Sequence, residues 1–140
     1  MDFADQRHGR PLAFEEIIAM IGLGIDAVDI RRFREALDRT PNLRTRVFTF
    51  AELESLSGRS DLDQSLAVRF AAREATMKAL GVGLGAIDLH DVSIRNNQNG
   101  APELIVTGRA LELAQAQGVK SWLVSLSHTQ DTAVAVVASN

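Results

Sequence analysis

Hydrophobic residues recur with two different periods along this chain, and these periods predict both strands and helices. Residues 20–30, "MIGLGIDAVDI", carry apolar residues at every second position, which favours a β-strand with one buried face. The alternating residues are Ile21, Leu23 and Ile25. Residues 29–39 change to helical spacing, with apolar residues at Ile30, Phe33 and Leu37. The pattern predicts a strand followed directly by a helix that ends near Thr40-Pro41.

A second helical pattern covers residues 61–80, and it predicts the longest helix of the chain. Ser60 and Asp61 are suited to cap its start, and Gly81 is suited to end it. Its apolar side consists of Leu62, Leu66, Phe70 and Met77. A shorter helix is predicted just before it, because Thr49 and Glu52 have the spacing of a capping box.

Turn signals divide the C-terminal half into two hairpins separated by a helix. Asn99-Gly100 interrupts an apolar pattern over residues 91–106, which is a strong hairpin signal. Residues 108–118, "GRALELAQAQG", predict a helix bounded by glycines, and residues 121–139 predict a second hairpin. The predicted fold class is α+β, with an antiparallel sheet packed with a long helix. We expect one domain over residues 20–140, preceded by a flexible N-terminal extension, residues 1–19, with a short helix near residues 14–20.

Composition narrows the chemistry without identifying it. The formal net charge is −3, so no overall positive field would attract nucleic acid or an anionic membrane, and we predict neither as a partner. The chain has no cysteine, which excludes disulfides and thiolate metal ligands. The sequence shows neither an apolar run long enough to cross a bilayer nor the layout of a signal peptide. We therefore expect a cytoplasmic protein.

The stretch "RFAAREATMKALGVGLG", residues 69–85, combines charge with small residues. Glu74 and Lys78 are four residues apart and share one helix face, as an exposed ion pair worth about 0.3–0.5 kcal/mol would also do. The surrounding alanines would let a ligand or another backbone approach closely. The glycines that follow have the make-up of a loop that passes near phosphate, although the first also fits a helix C-cap. They are Gly81, Gly83 and Gly85.

Asp26 is an acidic residue within an apolar strand, where a carboxylate is costly unless something pairs with it. A strand-end aspartate that caps the next helix is one explanation, but Asp29 fits that role better. A magnesium ion is another, because Mg²⁺ takes one or two carboxylates and completes its octahedron with phosphate oxygens and waters. Asp26 and Glu74 could supply that pair, although sequence separation alone does not bring them together.

Two further groups of polar residues are candidates for binding. His128 and Thr129 lie in "SLSHT" at a predicted strand end, where they could reach a phosphate or simply form a polar turn. Residues 31–46 carry six arginines against two acidic residues, Glu35 and Asp38. Such a stretch is either a solvated helix face or a docking surface for an acidic partner.

These segments, in this order, resemble the motifs of the holo-[acyl-carrier-protein] synthases, the short bacterial 4′-phosphopantetheinyl transferases. "GLGIDAVDIRRF" is similar to the family signature G-[IL]-G-x-D-x-x-[DE]-[IL], and "RFAAREATMKALGVGLG" to its R-F-A-x-[KR]-E-A-x-x-K-A-x-G-x-G helix and loop. "DVSIRNNQNGAPEL" and "VSLSHTQDTAVAVV" resemble the two closing motifs. The resemblance extends from Met20 to the end, and residue 73 is Arg where many members have Lys.

The resemblance implies an enzyme of fatty acid biosynthesis with the transferase fold of this family. It would move the phosphopantetheine group of coenzyme A to a serine of an apo acyl carrier protein and release 3′,5′-ADP. Asp26 and Glu74 would hold Mg²⁺, or Mn²⁺, and Lys78 would contact phosphate. Either Glu74 or a metal-bound water would take the proton of the serine; these two alternatives stay open.

The resemblance also implies the binding residues and the assembly. Gly81, Gly83, Gly85, His128 and Thr129 would contact coenzyme A. Arg32 and Arg39 would meet the acidic carrier protein, and Arg69 would belong either to that docking surface or to the nucleotide site. The protein would be a homotrimer with active sites shared between subunits. Other interpretations are a coenzyme A or nucleotide binding module without catalysis, an interaction protein using the arginines, and a transferase serving a large fatty-acid or polyketide synthase.

Overall fold

The computed structural model describes residues 20–140, so the predicted N-terminal extension and most of the short helix expected at residues 14–20 lie outside the described residues. The elements in chain order are β1 (Gly22–Asp29), α1 (Ile30–Arg39), α2 (Leu43–Val47), α3 (Phe50–Ser55), α4 (Leu62–Leu80), a turn of 3-10 helix (Leu89–Asp91), β2 (Val92–Asn96), β3 (Pro102–Val106), α5 (Gly108–Ala116), β4 (Trp122–His128) and β5 (Thr132–Ser139). The two predicted hairpins and the long helix are confirmed, whereas α2 had no recognisable sequence signal.

The strands form two antiparallel sheets beside the long helix. One sheet has the order β1-β5-β4, so the first strand of the domain pairs with the last. The second sheet is the β2-β3 hairpin. Helix α4 packs across β1 and β5 and also contacts β2, and it therefore joins the two sheets. The predicted α+β class is confirmed. No helix within residues 20–140 is long and apolar enough to span a membrane.

Helix boundaries follow local signals that the sequence already carries. The Asp29 carboxylate accepts the backbone N–H of Arg32 at 2.9 Å and caps α1. Thr49 and Glu52 form the predicted capping box of α3. Asp61 is the residue before α4, but its side chain makes no capping bond. It accepts two 2.9 Å hydrogen bonds from Arg59 instead, which lower the pKa of its carboxyl. The predicted cap is therefore wrong in its chemistry.

Alanines allow α4 to lie close to the sheet. The buried helix face that meets β5 consists of Ala71, Ala72, Ala75 and Ala79. Ala135 and Val137 of β5 are buried against this face. Because these side chains are short, the helix and the sheet approach each other more closely than larger residues would permit. This close packing determines the geometry of the candidate site.

The strand predicted at residues 20–30 is present, but its large apolar residues point away from the core. Leu23 and Ile25 are about 60% exposed, at 60% and 59%, and Ile21 is 45% exposed. The face of β1 that meets α4 carries Gly22, Gly24 and Asp26 instead. The alternating pattern thus identified the strand correctly and assigned the wrong face to the interior of the chain.

A buried ion pair links three elements on the other side of α4. Arg73 is fully buried and donates to both carboxylate oxygens of Glu52 on α3. Glu52 also accepts the backbone N–H of Ile94 on β2 at 3.1 Å, and Arg73 donates to the Leu89 carbonyl at 2.8 Å. The guanidinium carbon lies 5.0 Å from the ring centroid of Phe48. These contacts fix α4 against α3 and the β2-β3 hairpin.

Candidate active site

The structure brings Asp26 and Lys78 into direct contact. The Lys78 ammonium on α4 lies 3.1 Å from the Asp26 carboxylate on β1, and it donates to the Ile25 carbonyl at 2.8 Å. The Asp26 side chain is 17% exposed and the Lys78 side chain 54% exposed. The acidic residue in the apolar strand therefore has a partner of opposite charge, and the pair opens to solvent on the lysine side.

Glu74 belongs to the same cluster. Burial raises the pKa of the Glu74 carboxyl, the nearby negative charge of Asp26 raises this pKa further, and Lys78 opposes the change. Two carboxylates that repel each other and share one lysine are an arrangement typical of a site completed by a cation or by phosphate. The sequence predicted these three residues as the catalytic group, and the structure places all three at the β1-α4 contact.

The donor set suits a magnesium or manganese ion that is shared with a substrate. Within residues 20–140 there is no cluster of three or more His, Cys, Asp or Glu side chains arranged to hold a metal. Two carboxylates are nevertheless sufficient for Mg²⁺ when phosphate oxygens and waters supply the other ligands. Asp26 and Glu74 are close enough for their charges to interact and thus fit such a site, whereas a metal held by protein ligands alone does not fit.

The glycine-rich loop follows directly after these residues. Gly81 ends α4 in the left-handed region, at φ 73°, and Gly85 has φ 91°, so both conformations favour glycine. A Cβ atom at Gly81, Gly83 or Gly85 would meet no other atom of the described chain within 4 Å. The loop is therefore open on its outer side, where a ligand can approach its backbone. Leu84 within it is 75% exposed.

His128 and Thr129 lie at the far edge of the sheet from Asp26. His128 ends β4, and β5 separates β4 from β1. Two strand spacings are about 10 Å, so His128 does not join the carboxylates within one chain. Both residues are exposed, and the Thr129 hydroxyl accepts the backbone N–H groups of Asp131 and Thr132 in the turn.

Arg69 lines a cavity rather than the exposed surface. Its side chain is 5% exposed, and its Nη1 donates to the Ser65 carbonyl at 3.0 Å. Its Nε is buried and has no hydrogen-bond partner among the described residues. Burial lowers the pKa of the Arg69 guanidinium; Glu52 opposes this shift, and nearby arginines add to it.

The cavity beside Arg69 has a volume of about 250 Å³ and is also lined by Arg59 and Arg95. Glu52 lines it as well, but its oxygens are engaged by Arg73, Thr49 and a backbone N–H group. A buried guanidinium nitrogen without a partner is costly, and an anion in the cavity would satisfy it.

Arg32 and Arg39 are exposed on α1 and are seven residues, or about two helical turns, apart. Both side chains therefore project from the same side of the helix. Neither forms an ion pair with another residue of the part of the chain that the structure describes, in contrast to Arg31 and Arg34. This leaves two guanidinium groups available to an acidic partner.

Gly22 and Gly24 were not among the predicted site residues, although both belong to the signature "GLGID". A Cβ atom at Gly24 would lie 1.8 Å from the Ala75 carbonyl oxygen, and one at Gly22 would lie 2.1 Å from that of Ala79. The strand and the helix thus touch through their backbones at these points. Glycine inside a strand is the signal that could have indicated this contact.

Comparison with known proteins agrees with this site. The family model of the 4′-phosphopantetheinyl transferase superfamily matches residues 22–137. A holo-[acyl-carrier-protein] synthase of Moorella thermoacetica is 45% identical over 117 residues, which cover 84% of this chain and 91% of the relative.

Solved structures give the same result. A holo-[acyl-carrier-protein] synthase from Neisseria meningitidis has a TM-score of 0.79 at 28% identity, with 86% of this chain and 98% of that chain covered. The synthase from Bacillus anthracis in complex with CoA (3′,5′-ADP) has a TM-score of 0.71 at 32% identity, with 86% and 96% covered. The family expected from the four motifs is confirmed, and the chain belongs to the 4′-phosphopantetheinyl transferase superfamily.

Proposed function

We propose that this protein transfers the 4′-phosphopantetheine group from coenzyme A to a serine hydroxyl of an apo acyl carrier protein. The observation that carries the proposal is the contact of β1 with α4, which gathers Asp26, Glu74 and Lys78 at the edge of an open glycine loop. Relatives that match most of this chain are holo-[acyl-carrier-protein] synthases, and one of them was solved with CoA (3′,5′-ADP). A family member with this cluster has the groups that the reaction needs.

In the reaction, the serine oxygen attacks the phosphorus that carries the pantetheine arm. A new P–O bond forms, the bond to the second phosphate of the pyrophosphate breaks, and 3′,5′-ADP leaves with the electron pair of that bond. A bound Mg²⁺ or Mn²⁺ would supply positive charge to the pyrophosphate. Asp26 and Glu74 would hold it, and Lys78 would stabilise charge on the phosphate oxygens. The serine proton would pass to Glu74 or to a water beside it.

The cavity beside Arg69 would take a further phosphate of coenzyme A. Three arginines line it, and Arg69 is buried with an unpartnered Nε. This supports the nucleotide site over the carrier-protein surface as the place of Arg69. Arg69 and Glu74 are five residues apart and thus lie on different sides of α4. One coenzyme A molecule would reach both kinds of group where a second subunit brings its arginine cavity to the glycine loop, and His128 and Thr129 would also enter the site in this way.

Mass spectrometry of an apo acyl carrier protein tests the function. Incubation with this protein, coenzyme A and Mg²⁺ should add one phosphopantetheine mass, and EDTA should suppress the addition. Coenzyme A binding without any mass gain, with several carrier proteins tried, would instead support a binding module without catalysis. A gain only on a carrier domain of a large synthase would identify that synthase as the partner.

The arginines of α1 would dock the acidic carrier protein. Charge reversal by Arg32→Glu should raise the KM for carrier protein about tenfold or more, because attraction at the docking surface becomes repulsion. The KM for coenzyme A should change by less than about twofold, since Arg32 is remote from the glycine loop in sequence and lies on α1. Arg109→Glu, an exposed arginine on α5, is the matched control. An equal effect of Arg32→Glu on both KM values would contradict the docking role.

The outer face of the three-stranded sheet would be the contact between subunits of a trimer. Leu23, Ala138 and Leu123 are aligned across β1, β5 and β4, and the two leucines are 60% and 68% exposed. Ile25 and Val136 form the next row. A contiguous apolar face of this kind is typical of an association surface, and a second copy of the chain is the partner we propose.

Substitution of Leu23 by glutamate should dissociate the assembly, because each copy would place a charge within an apolar interface. Light scattering coupled to gel filtration measures the mass of the species present. Phe50→Glu is the control, since Phe50 is 80% exposed but lies on α3, outside the sheet. A trimeric mass for Leu23→Glu would remove this face from the interface. The cytoplasmic location stays a prediction.

A further inference from the structure

The strand and the helix that carry the catalytic cluster meet without a layer of side chains between them. At Gly24 the space where a Cβ atom would stand is taken by the Ala75 carbonyl oxygen, and at Gly22 by the Ala79 carbonyl oxygen. A residue other than glycine at either position would have to push β1 away from α4. The separation of these two elements is therefore fixed by the glycines and not by the fit of larger side chains.

The same contact determines how far the two carboxylates are from each other. Asp26 follows Gly24 by two residues and points to the same face of β1. Glu74 is the neighbour of Ala75 in sequence, and Lys78 follows one turn later. The 3.1 Å contact between Lys78 and Asp26 depends on this close approach. The glycine contact lies directly beside the residues that would hold the metal and the phosphate.

We infer that Gly24, supported by Gly22, is a positioning residue that sets the distance between Asp26 and Glu74 and thereby the affinity of the site for a divalent metal. The inference rests on the proposed assignment of these two carboxylates to the metal. Gly24 touches neither metal nor substrate and acts only through the backbone separation. Misplacement of a ligand by about 1 Å is enough to cost on the order of 100-fold in rate, so a small displacement has a large effect.

The displacement can be estimated from the contact itself. A Cβ atom at Gly24 would stand 1.8 Å from the Ala75 oxygen, whereas ordinary van der Waals contact begins at 3.4 Å. Gly24→Ala should therefore move β1 outward by about 1.6 Å if α4 keeps its place. Replacement of Asp26 by glutamate lengthens the side chain by one C–C bond, about 1.5 Å. The longer carboxylate should restore the reach that the displaced strand has lost.

A double-mutant cycle tests this prediction. Mn²⁺ affinity in the presence of coenzyme A is measured by electron paramagnetic resonance for the wild type, Gly24→Ala, Asp26→Glu and the double variant. Gly24→Ala alone should weaken Mn²⁺ binding about 10- to 100-fold. Asp26→Glu should weaken binding in the wild-type background but strengthen it, by about fivefold or more, in the Gly24→Ala background. A merely structural role of Gly24 would make the two losses add.

Controls separate the possible failures. Val92→Ala removes buried volume on the other side of α4 and should lower the melting temperature without changing Mn²⁺ affinity. Wild-type Mn²⁺ affinity by Gly24→Ala, or the same loss from Asp26→Glu in both backgrounds, would overturn the inference. If Glu74→Gln leaves Mn²⁺ binding unchanged, the metal assignment itself fails. If Gly24→Ala does not fold, Gly22→Ala carries the same cycle, because its Cβ atom would also displace β1 from α4.

Discussion

Replacement of Glu74 by glutamine is expected to lower the rate of phosphopantetheine transfer by about 100-fold or more while the protein stays folded. Glutamine keeps the size of the side chain but cannot ionise, so it removes a metal ligand and a candidate base together. The measurement is transfer to an apo acyl carrier protein at saturating coenzyme A and Mg²⁺. Glu112→Gln on α5 is the control, because that carboxylate is exposed and remote from the cluster. Substantial activity of Glu74→Gln would remove Glu74 from the mechanism.

The stability of the same variant should move in the opposite direction. Burial and the charge of Asp26 raise the pKa of Glu74 in the folded state. A carboxyl with a raised pKa binds its proton more tightly when folded, so its contribution to stability is present at low pH and is lost as the pH rises through the folded-state pKa. At neutral pH the ionised carboxylate therefore costs stability. Glu74→Gln should melt at the same temperature as the wild type or higher at pH 7.5, and this gain should vanish below the unfolded-state pKa.

Metal affinity provides an independent check on Glu74. A carboxylate must lose its proton before it binds a metal, so Mn²⁺ affinity of the wild type should increase with pH through the raised pKa of Glu74. The Gln variant should lack this component of the pH dependence. A Glu74→Gln protein that is inactive and also less stable at every pH would indicate a structural role and contradict the assignment.

Replacement of Arg73 by alanine is expected to produce the largest loss of stability, about 3–5 kcal/mol in the free energy of unfolding. The substitution leaves the Glu52 carboxylate charged within the core, without the guanidinium that neutralises it. It also removes the donor to the Leu89 carbonyl and the contact with the Phe48 ring. Urea denaturation at one fixed protein concentration measures the effect, because assembly would make the result depend on concentration.

An exposed arginine gives a matched control for this experiment. Arg31→Ala removes the same side chain from a 3.3 Å ion pair with Glu35, but both partners are largely exposed. Exposed pairs contribute about 0–1 kcal/mol, so the loss should be several times smaller than for Arg73→Ala. Equal losses for the two variants would mean that burial of the Arg73 pair has no energetic consequence. Arg73→Lys keeps the charge but not the two-pronged geometry, and its stability should lie between these results.

Signals confined to neighbouring residues were predicted correctly from the sequence. The Asp29 cap, the capping box at Thr49 and the left-handed Gly81 are all present as expected. The hairpin at Asn99-Gly100 is also present. These features depend on backbone conformation and hydrogen bonds within a few residues, so the local sequence contains the information they need.

Burial was predicted less well, because it depends on partners that are distant in sequence. An alternating pattern defines two faces of a strand but does not say which one meets the core. In β1 the large residues Leu23 and Ile25 face outward, and the glycines face α4. Arg69 shows the same limit, since a basic stretch predicts an exposed side chain whereas Arg69 lies in a cavity with an unpartnered nitrogen.

The sequence by itself determined the elements, the family and the residue types of the site, because four motifs in fixed order specify them. Only the tertiary structure decided that Asp26, Glu74 and Lys78 meet, although 48 residues of chain separate the first two. The physical reason is the close contact between β1 and α4. Glycine on the strand and alanine on the helix remove the side-chain layer, and the pairing of β1 with β5 holds the strand in that place.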